Sequence, residues 1–276
     1  MIEFGKYNKL IVVKILEHGA YLDGEEQGEI LMPHKYVEEH VSVGDEVEVF
    51  VYKDTDDRPI ATKERPFAQV GDFACLEVVD TNQYGAFLDW GLIKDLFIPF
   101  REQKLKMEVG NRYVVHIYID TETERIVGSA KIEKFLDNVP PTYAIDEKVD
   151  ILVYGYTDLG YNCIINNLHR GIIYQNEIFD DLHFGQETSA YIKKIREDDK
   201  IDLYFHKKGL EGSQDVADII LDKLKNNSGI LHLGDKSPSE QIYMEFGISK
   251  KQFKKAAGHL YKKGLIKINP EKIELI

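Results

Sequence analysis

Two phenylalanine side chains could form a surface on which flat ligands stack. In residues 78–99, alternation along an extended strand puts Ala86 and Leu88 on one face and Phe87 on the other. The same alternation on the next short strand turns Phe97 away from its apolar neighbours. Exposed aromatic rings on neighbouring strands stack well on nucleic acid bases. The alternative is that both rings belong to the core or to a seam between domains, and the segment alone leaves both interpretations open.

Acidic clusters are the residues that could support catalysis. Asp54–Asp57 and Glu197–Asp199 have the composition of a metal site for phosphodiester hydrolysis. Both clusters fall where hairpin turns are predicted, and aspartate is favoured in turns. The nine histidines have no metal-ligand spacing, and Cys75 and Cys163 lie in strand-like runs. We therefore expect solvated turns, two reduced core cysteines, no metal or other cofactor, and no enzymatic activity.

A lysine-rich segment close to residue 255 could contact phosphate groups. Helical periodicity places Phe253 and Leu260 on one apolar face, so the lysines fall largely on the solvent side. A solvated lysine face is the alternative interpretation. Lysine without arginine suits phosphates better than base edges, so contact here would be weakly sequence-specific. The candidate residues are Lys250, Lys251, Lys254, Lys255, Lys262 and Lys263.

The elements that must position these side chains occur in a unit that is repeated three times. Gly19–Asp23 matches Gly85–Asp89, and each is followed by a strand ending in proline, a long alternating strand and an acidic hairpin. A weaker third copy contains Gly160–Ile165. Each copy predicts a set of short strands in about 60–70 residues, which is enough for a small five-stranded barrel.

The predicted fold class is mainly β with a C-terminal α+β domain. The repeats predict three tandem OB-type barrels. Beyond them the periodicity becomes helical, and three helices followed by a two-stranded hairpin predict a winged helix-turn-helix. The predicted domains are residues 1–64 (barrel one), 65–136 (barrel two), 144–208 (barrel three) and 209–276 (winged helix).

The connections between barrels differ in composition. Pro140 and Pro141 predict a short stiff linker that keeps barrels two and three apart. Barrels one and two are predicted to join tightly near Arg65.

The formal net charge of −13 argues against a nucleic acid partner until its distribution is considered. Residues 1–64 contain 7 basic and 15 acidic side chains, a net charge of −8, whereas residues 209–276 contain 11 basic and 9 acidic side chains, a net charge of +2. Such asymmetry is typical of a protein with one end that faces nucleic acid. The acidic first barrel could instead dock on a basic partner, so a protein-interaction scaffold for the transcription or translation machinery is the alternative function.

Membrane association is not expected. No apolar run approaches the length of a membrane span, and the first residues include Glu3 and no long apolar stretch. We therefore expect a cytoplasmic protein.

The repeated unit resembles the S1 RNA-binding domain in its Gly-Ala-aromatic-Leu-Asp segment, its Val-Gly turn and its last acidic hairpin with a basic residue. The resemblance implies RNA contact by aromatics around the Gly-Ala turn and on the following strand, and by the basic residue of the hairpin. The predicted RNA-binding residues are Tyr84, Phe87, Lys94, Phe97 and Arg125 in barrel two, and Tyr161, Arg170, Tyr174, Lys193, Arg196 and Lys200 in barrel three, with Tyr21 and Arg58 as weaker candidates in barrel one.

Several positions depart from the S1 pattern. In barrel one, His18 and Leu31 replace contact residues, so this barrel is expected to be structural or partner-contacting. In barrel two, Phe97 and Pro99 stand where the pattern has His and Ser, and in barrel three Ile164 replaces the second aromatic. RNA binding is therefore expected foremost in barrel three and the winged helix, and in barrel two with altered chemistry.

Three S1-like units followed by a winged helix resemble the bacterial CvfB family, the conserved virulence factor B type of RNA-binding regulator. The resemblance covers nearly the whole chain, and it rests on domain order and length more than on single motifs. It implies a non-catalytic protein that binds single-stranded RNA with low sequence specificity and regulates gene expression. The winged helix adds DNA as an alternative partner.

Overall fold

The computed structural model confirms the predicted fold class. Three closed five-stranded barrels precede a small domain of helices and a short sheet. The chain divides into two compact units, residues 1–172 with 182–202 and residues 173–181 with 203–276. The boundary predicted after residue 208 lies outside the described residues, and the other domain boundaries stay predictions. The structure describes residues 1–175, 182–204, 213–227, 229–246 and 248–276.

All three barrels have one strand order, in which the first strand pairs with the second and the fourth, and the fifth lies between the third and the fourth. Barrel one contains β1 (Lys6–Leu16), β2 (Gly19–Asp23), β3 (Glu29–Pro33), β4 (Glu46–Lys53) and β5 (Pro59–Thr62). Barrel two contains β6 (Phe73–Thr81), β7 (Gly85–Asp89), β8 (Leu96–Pro99), β9 (Arg112–Ile119) and β10 (Ile126–Ser129). Barrel three contains β11 (Lys148–Thr157), β12 (Gly160–Ile165), β13 (His169–Tyr174), β14 (Glu187–Ile195) and β15 (Ile201–Tyr204).

The C-terminal domain has the predicted helices and wing. Ser249 and Gln252 form a reciprocal capping box at the start of the third helix, in which each side chain accepts a hydrogen bond from the other residue's backbone N–H. The structure adds one short strand that the sequence pattern did not reveal, and it pairs with the last strand of the wing. The elements are α1 (Ser213–Asn226), β16 (Ile230–Leu231), α2 (Ser239–Phe246), α3 (Lys250–Lys262), β17 (Ile266–Ile268) and β18 (Ile273–Leu275).

The glycine that opens the second strand of barrels one and two is required by a close approach of the third strand. A Cβ added at Gly19 would lie 2.1 Å from the carbonyl oxygen of Met32, and one added at Gly85 would lie 2.2 Å from that of Ile98. Real Cβ atoms do not tolerate such distances, so the Gly-Ala signature reflects backbone packing at the tip of these barrels.

Barrels one and two are joined by buried apolar contacts, in agreement with the tight junction predicted near Arg65. Phe50 of β4 is fully buried and packs edge-on against Trp90, with ring centroids 5.8 Å apart. Tyr7 contacts the same Phe50 ring at 5.4 Å. A single apolar cluster therefore runs from Phe50 into the interior of barrel two.

The predicted separation of barrels two and three is wrong. Cys75 of β6 and Leu136, the last residue of the barrel-two segment, form one buried cluster with Leu152 and Ile164 of barrel three. Asn167 of barrel three also donates a hydrogen bond to Asp72, at 2.9 Å. The two prolines stiffen the linker, but the apolar side chains on the facing barrel surfaces still gain more from burial than from exposure to water.

His116 of β9 lies against the buried cluster between barrels two and three, and its pKa is well below the ordinary value. Its ring packs between Phe73 and Phe135, with centroid distances of 4.5 and 4.1 Å, and its Nδ1 has no hydrogen-bond partner among the described residues. Burial lowers the pKa of His116 from 6.5 to about 4, although a hydrogen bond with the Asp72 backbone partly opposes this. The folded protein therefore holds a neutral imidazole at a pH where the unfolded chain is protonated.

We expect acidification to destabilise the fold through His116. Between pH 6.5 and 4 the unfolded chain binds a proton that the folded chain does not, so the free energy of unfolding falls with falling pH, by on the order of 3 kcal/mol across the window. In His116→Phe this dependence should flatten. Urea unfolding followed by fluorescence at several pH values measures it, and an unchanged slope in the variant would contradict the assignment.

Candidate nucleic-acid interface

Phe87 and Phe97 form an aromatic pair on the outside of barrel two. They lie directly opposite each other on β7 and β8, with ring centroids 5.2 Å apart and ring planes inclined by 37°. Their neighbours Ala86 and Leu88 are fully buried, whereas both rings are partly exposed. The orientation predicted from alternation is therefore confirmed.

The aromatic pair lines a cavity of about 450 Å³ at the seam between barrels one and two. The rings therefore leave the core of barrel two and face the seam between the barrels, and stacking on nucleic acid stays a prediction. Barrel one contributes Tyr52, Lys53, Thr55 and Asp57 to the cavity. All the barrel-two candidates line it, namely Tyr84, Phe87, Lys94, Phe97 and Arg125.

Lys94 fixes one wall of this cavity. Its ammonium group donates to the backbone carbonyl oxygens of Lys53 and Asp54, at 3.0 and 2.7 Å. Burial lowers the pKa of Lys94, although the nearby Asp57 carboxylate opposes that shift. Lys94 is thus a partly buried cation whose position depends on barrel one.

Arg125 is also tied to barrel one. Its guanidinium makes two hydrogen bonds with the Asp57 carboxylate, one of which joins Nε to Oδ1 at 3.1 Å. These bonds hold the pKa of Asp57 below its ordinary value. A second ion pair, between Lys53 and Glu124 at 3.5 Å, joins the same two hairpins. The last hairpins of barrels one and two therefore meet at the cavity.

The structure corrects one residue alignment in barrel three. Tyr161 lies opposite Tyr156, at the ladder position that Ala86 occupies in barrel two. Asn162, and not Ile164, occupies the place of Phe87, because each first strand has a register shift at the same distance from the turn. Tyr161 still forms an aromatic pair, with Tyr156 at 4.9 Å, so barrel three has its ring pair at a different position.

The basic candidates of barrel three are mostly held in ion pairs. Arg170 pairs with Asp137, Arg196 with Asp202, and Lys200 with Asp198. The Arg170 pair joins barrel three to the linker, which gives it a structural role. Two further candidates are Lys193, exposed on β14, and Tyr174, partly exposed at the end of β13.

The weaker candidates of barrel one are engaged locally. Tyr21 lies below the Lys14 ammonium, which is 4.8 Å from the ring centroid. Arg58 pairs with Asp54 and Asp56 within its own hairpin. The expectation that barrel one is structural or partner-contacting stays a prediction.

The lysines of α3 lie on its solvent side. Phe253, Ala256 and Leu260 are buried beneath them. Lys254 pairs with Asp235 at 2.8 Å, which removes part of its charge from the surface potential. The exposed members of the predicted set are Lys251, Lys254, Lys255, Lys262 and Lys263, and Lys250 is partly buried.

Sequence reasoning missed the contribution of barrel one to the cavity. Asp57 was assigned to a solvated turn, and the Asp54 carboxylate does accept hydrogen bonds from the turn backbone. Its neighbour Asp57 instead reaches barrel two. Tyr156 was also missed as a candidate. It is 54% exposed, and its ring pairs with Tyr161. Spacing along the chain carries no signal for the Asp57 contact, since it joins residues 68 positions apart.

The described residues contain neither a metal-binding cluster nor a membrane-spanning helix. No group of three or more His, Cys, Asp or Glu side chains is arranged to hold a metal ion. None of the described helices is both long enough and apolar enough to span a membrane.

Comparison with known proteins identifies two domain families. The S1 domain model matches residues 4–64, and the CvfB-like winged helix domain model matches residues 218–275. The conserved virulence factor B of Staphylococcus epidermidis is 25% identical over 245 residues, which are 86% of this chain and 82% of that protein. The resemblance to the CvfB family is therefore confirmed.

Two other proteins are similar along most of the chain. The uncharacterized protein YitL of Bacillus subtilis is 27% identical over 266 residues, which cover 91% of this chain and 86% of YitL. A solved structure of a multidomain protein with nucleic acid binding domains from Streptococcus pneumoniae is 25% identical, covers 99% of this chain and 98% of that chain, and has a TM-score of 0.43.

Proposed function

We propose that this chain, with its S1 and CvfB-like winged helix domains, is a non-catalytic protein that binds single-stranded RNA and regulates gene expression. The observation that carries the proposal is the aromatic pair Phe87–Phe97 in a cavity that Lys94 and Arg125 also line. Stacking surfaces beside cations are the chemistry by which OB-type barrels hold single strands with little sequence preference. In this proposal, barrel two makes a larger contribution to RNA binding than its sequence suggests.

The winged helix supplies a second, electrostatic surface in this proposal. The exposed lysines of α3 attract phosphates without reading bases, so they raise affinity for any strand, including DNA. The aromatic cavity and the lysine helix then contribute different properties. Stacking requires unpaired bases, whereas the lysines set the salt dependence.

Anisotropy titration of the full chain tests the proposal. The probe is a fluorescein-labelled oligouridylate of about twelve nucleotides, within the roughly 4–16 nucleotides that one OB fold covers. We expect binding that weakens as salt rises from about 50 to 200 mM. The matching DNA strand and a duplex of the same length are the comparisons. Absence of binding to the single-stranded RNA at micromolar protein would overturn the proposal.

Replacing four exposed lysines of α3 and its C-terminal end by glutamine should reduce the salt dependence of binding. In Lys251→Gln, Lys255→Gln, Lys262→Gln and Lys263→Gln combined, the slope of log K against log salt should fall by about 0.7 for each phosphate that the protein no longer neutralises. Affinity at low salt should fall roughly ten-fold, since single-stranded binding is strongly electrostatic. Glutamine keeps the helix propensity, so circular dichroism should be unchanged.

A matched control removes the same charge elsewhere. Four exposed lysines outside α3 can be changed to glutamine together, namely Lys9, Lys106, Lys148 and Lys225. If this control and the α3 variant reduce affinity and slope equally, only net charge matters and the lysine face is merely solvated.

The protein-interaction scaffold remains the alternative function. Capture of partners from a lysate by the full chain, before and after nuclease treatment, separates the two hypotheses. Partners that resist nuclease and no longer bind when the acidic residues of barrel one are neutralised would favour the scaffold.

A further inference from the structure

The cavity at the seam is built from two barrels. Barrel two provides the rings Phe87 and Phe97, and barrel one provides residues from the end of β4 and the hairpin that follows it. The Lys94 ammonium, bonded to the carbonyl oxygens of Lys53 and Asp54, holds that hairpin in place. Beneath it, Phe50 packs on Trp90. The wall from barrel one is therefore preformed and anchored by both polar and apolar contacts.

Three cations line the same space, beside the carboxylates of Asp57 and Asp95. Lys53, Lys94 and Arg125 all line the cavity, together with several aromatic side chains. Aromatic rings beside several cations match the two parts of a nucleotide, since a base can stack while its phosphate meets the charges. A single nucleotide of a bound strand thus fits the chemistry of this seam.

The carboxylate of Asp57 holds the cation that such a phosphate would need. It pairs with Arg125 through two parallel hydrogen bonds, the geometry in which arginine also binds phosphate. Asp57 accepts hydrogen bonds from Nε and one terminal nitrogen of Arg125. Its negative charge opposes a phosphate that approaches the remaining edge of the guanidinium. Both side chains are partly exposed, at 39% for Asp57 and 58% for Arg125, so the pair can open without unfolding.

We propose that the hairpin of barrel one forms part of the RNA site of barrel two, and that Asp57 competes with an RNA phosphate for Arg125. This inference rests on the proposed RNA binding. Barrel one, which keeps few contact residues of its own, then acts on RNA affinity through its acidic hairpin. Because exposed ion pairs are weak, the competition lowers affinity modestly, by roughly two- to five-fold.

The test compares two neighbouring aspartates. Asp57→Asn removes the competitor, and asparagine suits the left-handed backbone at this position, where φ is 61°. Asp56→Asn removes the same charge from the same hairpin, but Asp56 pairs with Arg58 inside barrel one. With the labelled oligouridylate, Asp57→Asn should bind roughly two- to five-fold more tightly than wild type, and Asp56→Asn should stay close to wild type.

A double variant links the effect to Arg125. Arg125→Gln should bind more weakly than wild type, and adding Asp57→Asn to it should produce no further gain. Thermal unfolding of each variant checks that the barrels remain folded. If Asp57→Asn binds no tighter than Asp56→Asn, or more weakly than wild type, the competition is overturned while RNA binding stands. If wild type itself does not bind, the proposed function fails first.

Discussion

Removing both rings of the aromatic pair should weaken binding of single-stranded RNA by one to two orders of magnitude. Stacking of one base on an aromatic side chain contributes about 1–3 kcal/mol, judged by alanine substitution. In Phe87→Ala with Phe97→Ala, the cavity keeps Lys94 and Arg125 but loses its stacking surface. The salt dependence should therefore stay near that of wild type while affinity falls at every salt concentration. Anisotropy titration with the labelled oligouridylate at several salt concentrations measures both quantities.

The chain offers a matched control for this variant. Phe67 and Phe100 are exposed at 65% and 44%, belong to the same barrel region and lie outside the cavity lining. Phe67→Ala with Phe100→Ala removes two rings without touching the proposed site, so affinity should be nearly unchanged. Equal reductions of affinity in the two double variants would show that the rings support the fold and do not stack on RNA.

Leucine at both positions separates stacking from simple burial. Leucine retains an apolar side chain but has no π-face, so a base gains less from contact with it. We expect Phe87→Leu with Phe97→Leu to bind between wild type and the alanine variant. Tyrosine at the same positions should restore most of the affinity.

The sequence was sufficient to predict the local geometry of the aromatic pair. Alternation between Ala86, Phe87 and Leu88 follows from strand geometry alone, and it determines which face each side chain occupies. The apolar face of α3 was predicted from local periodicity in the same way, and Phe253 and Leu260 are buried. Predictions that depend on neighbours within one strand or one helical turn therefore succeeded.

Contacts between barrels could not be predicted from such local patterns. The Asp57–Arg125 pair and the two bonds from Lys94 join hairpins and loops that are distant in sequence. Their existence depends on how two barrel surfaces fit together, and residue spacing carries no such information. Pro140 and Pro141 led to the wrong prediction that barrels two and three are separated. A stiff linker limits its own conformations, but it does not determine whether the surfaces on either side of it bury each other.

The misplaced aromatic of barrel three has a different cause. The register shift between Val153 and Gly155 has the same place as the one between Val78 and Asp80, so the two ladders are equivalent and align Asn162 with Phe87. Asn162 is not aromatic, so residue type did not mark it as the counterpart of Phe87. The ladder was needed to match the positions.

Phe50→Ala should cause the largest decrease in stability among these variants, about 3–5 kcal/mol, as expected for truncation of a fully buried phenylalanine. The removed ring leaves a cavity between Tyr7 and Trp90, at the junction of two barrels. Since Trp90 is the single tryptophan of the chain, its emission reports directly on this junction. We expect the emission of the folded variant to shift to longer wavelength as water gains access to the indole.

Leu22→Ala is the comparison that tests whether barrels one and two unfold together. Leu22 is also fully buried, but it belongs to the separate core of barrel one, which does not include Trp90. Its truncation should cost about 2–5 kcal/mol and leave the folded emission unchanged. Because Phe50 joins the barrels, Leu22→Ala should nevertheless lower the unfolding midpoint observed at Trp90 in barrel two. A midpoint at Trp90 that stays at the wild-type value would mean that barrel one unfolds alone, and that its hairpin is not a stable wall of the RNA site.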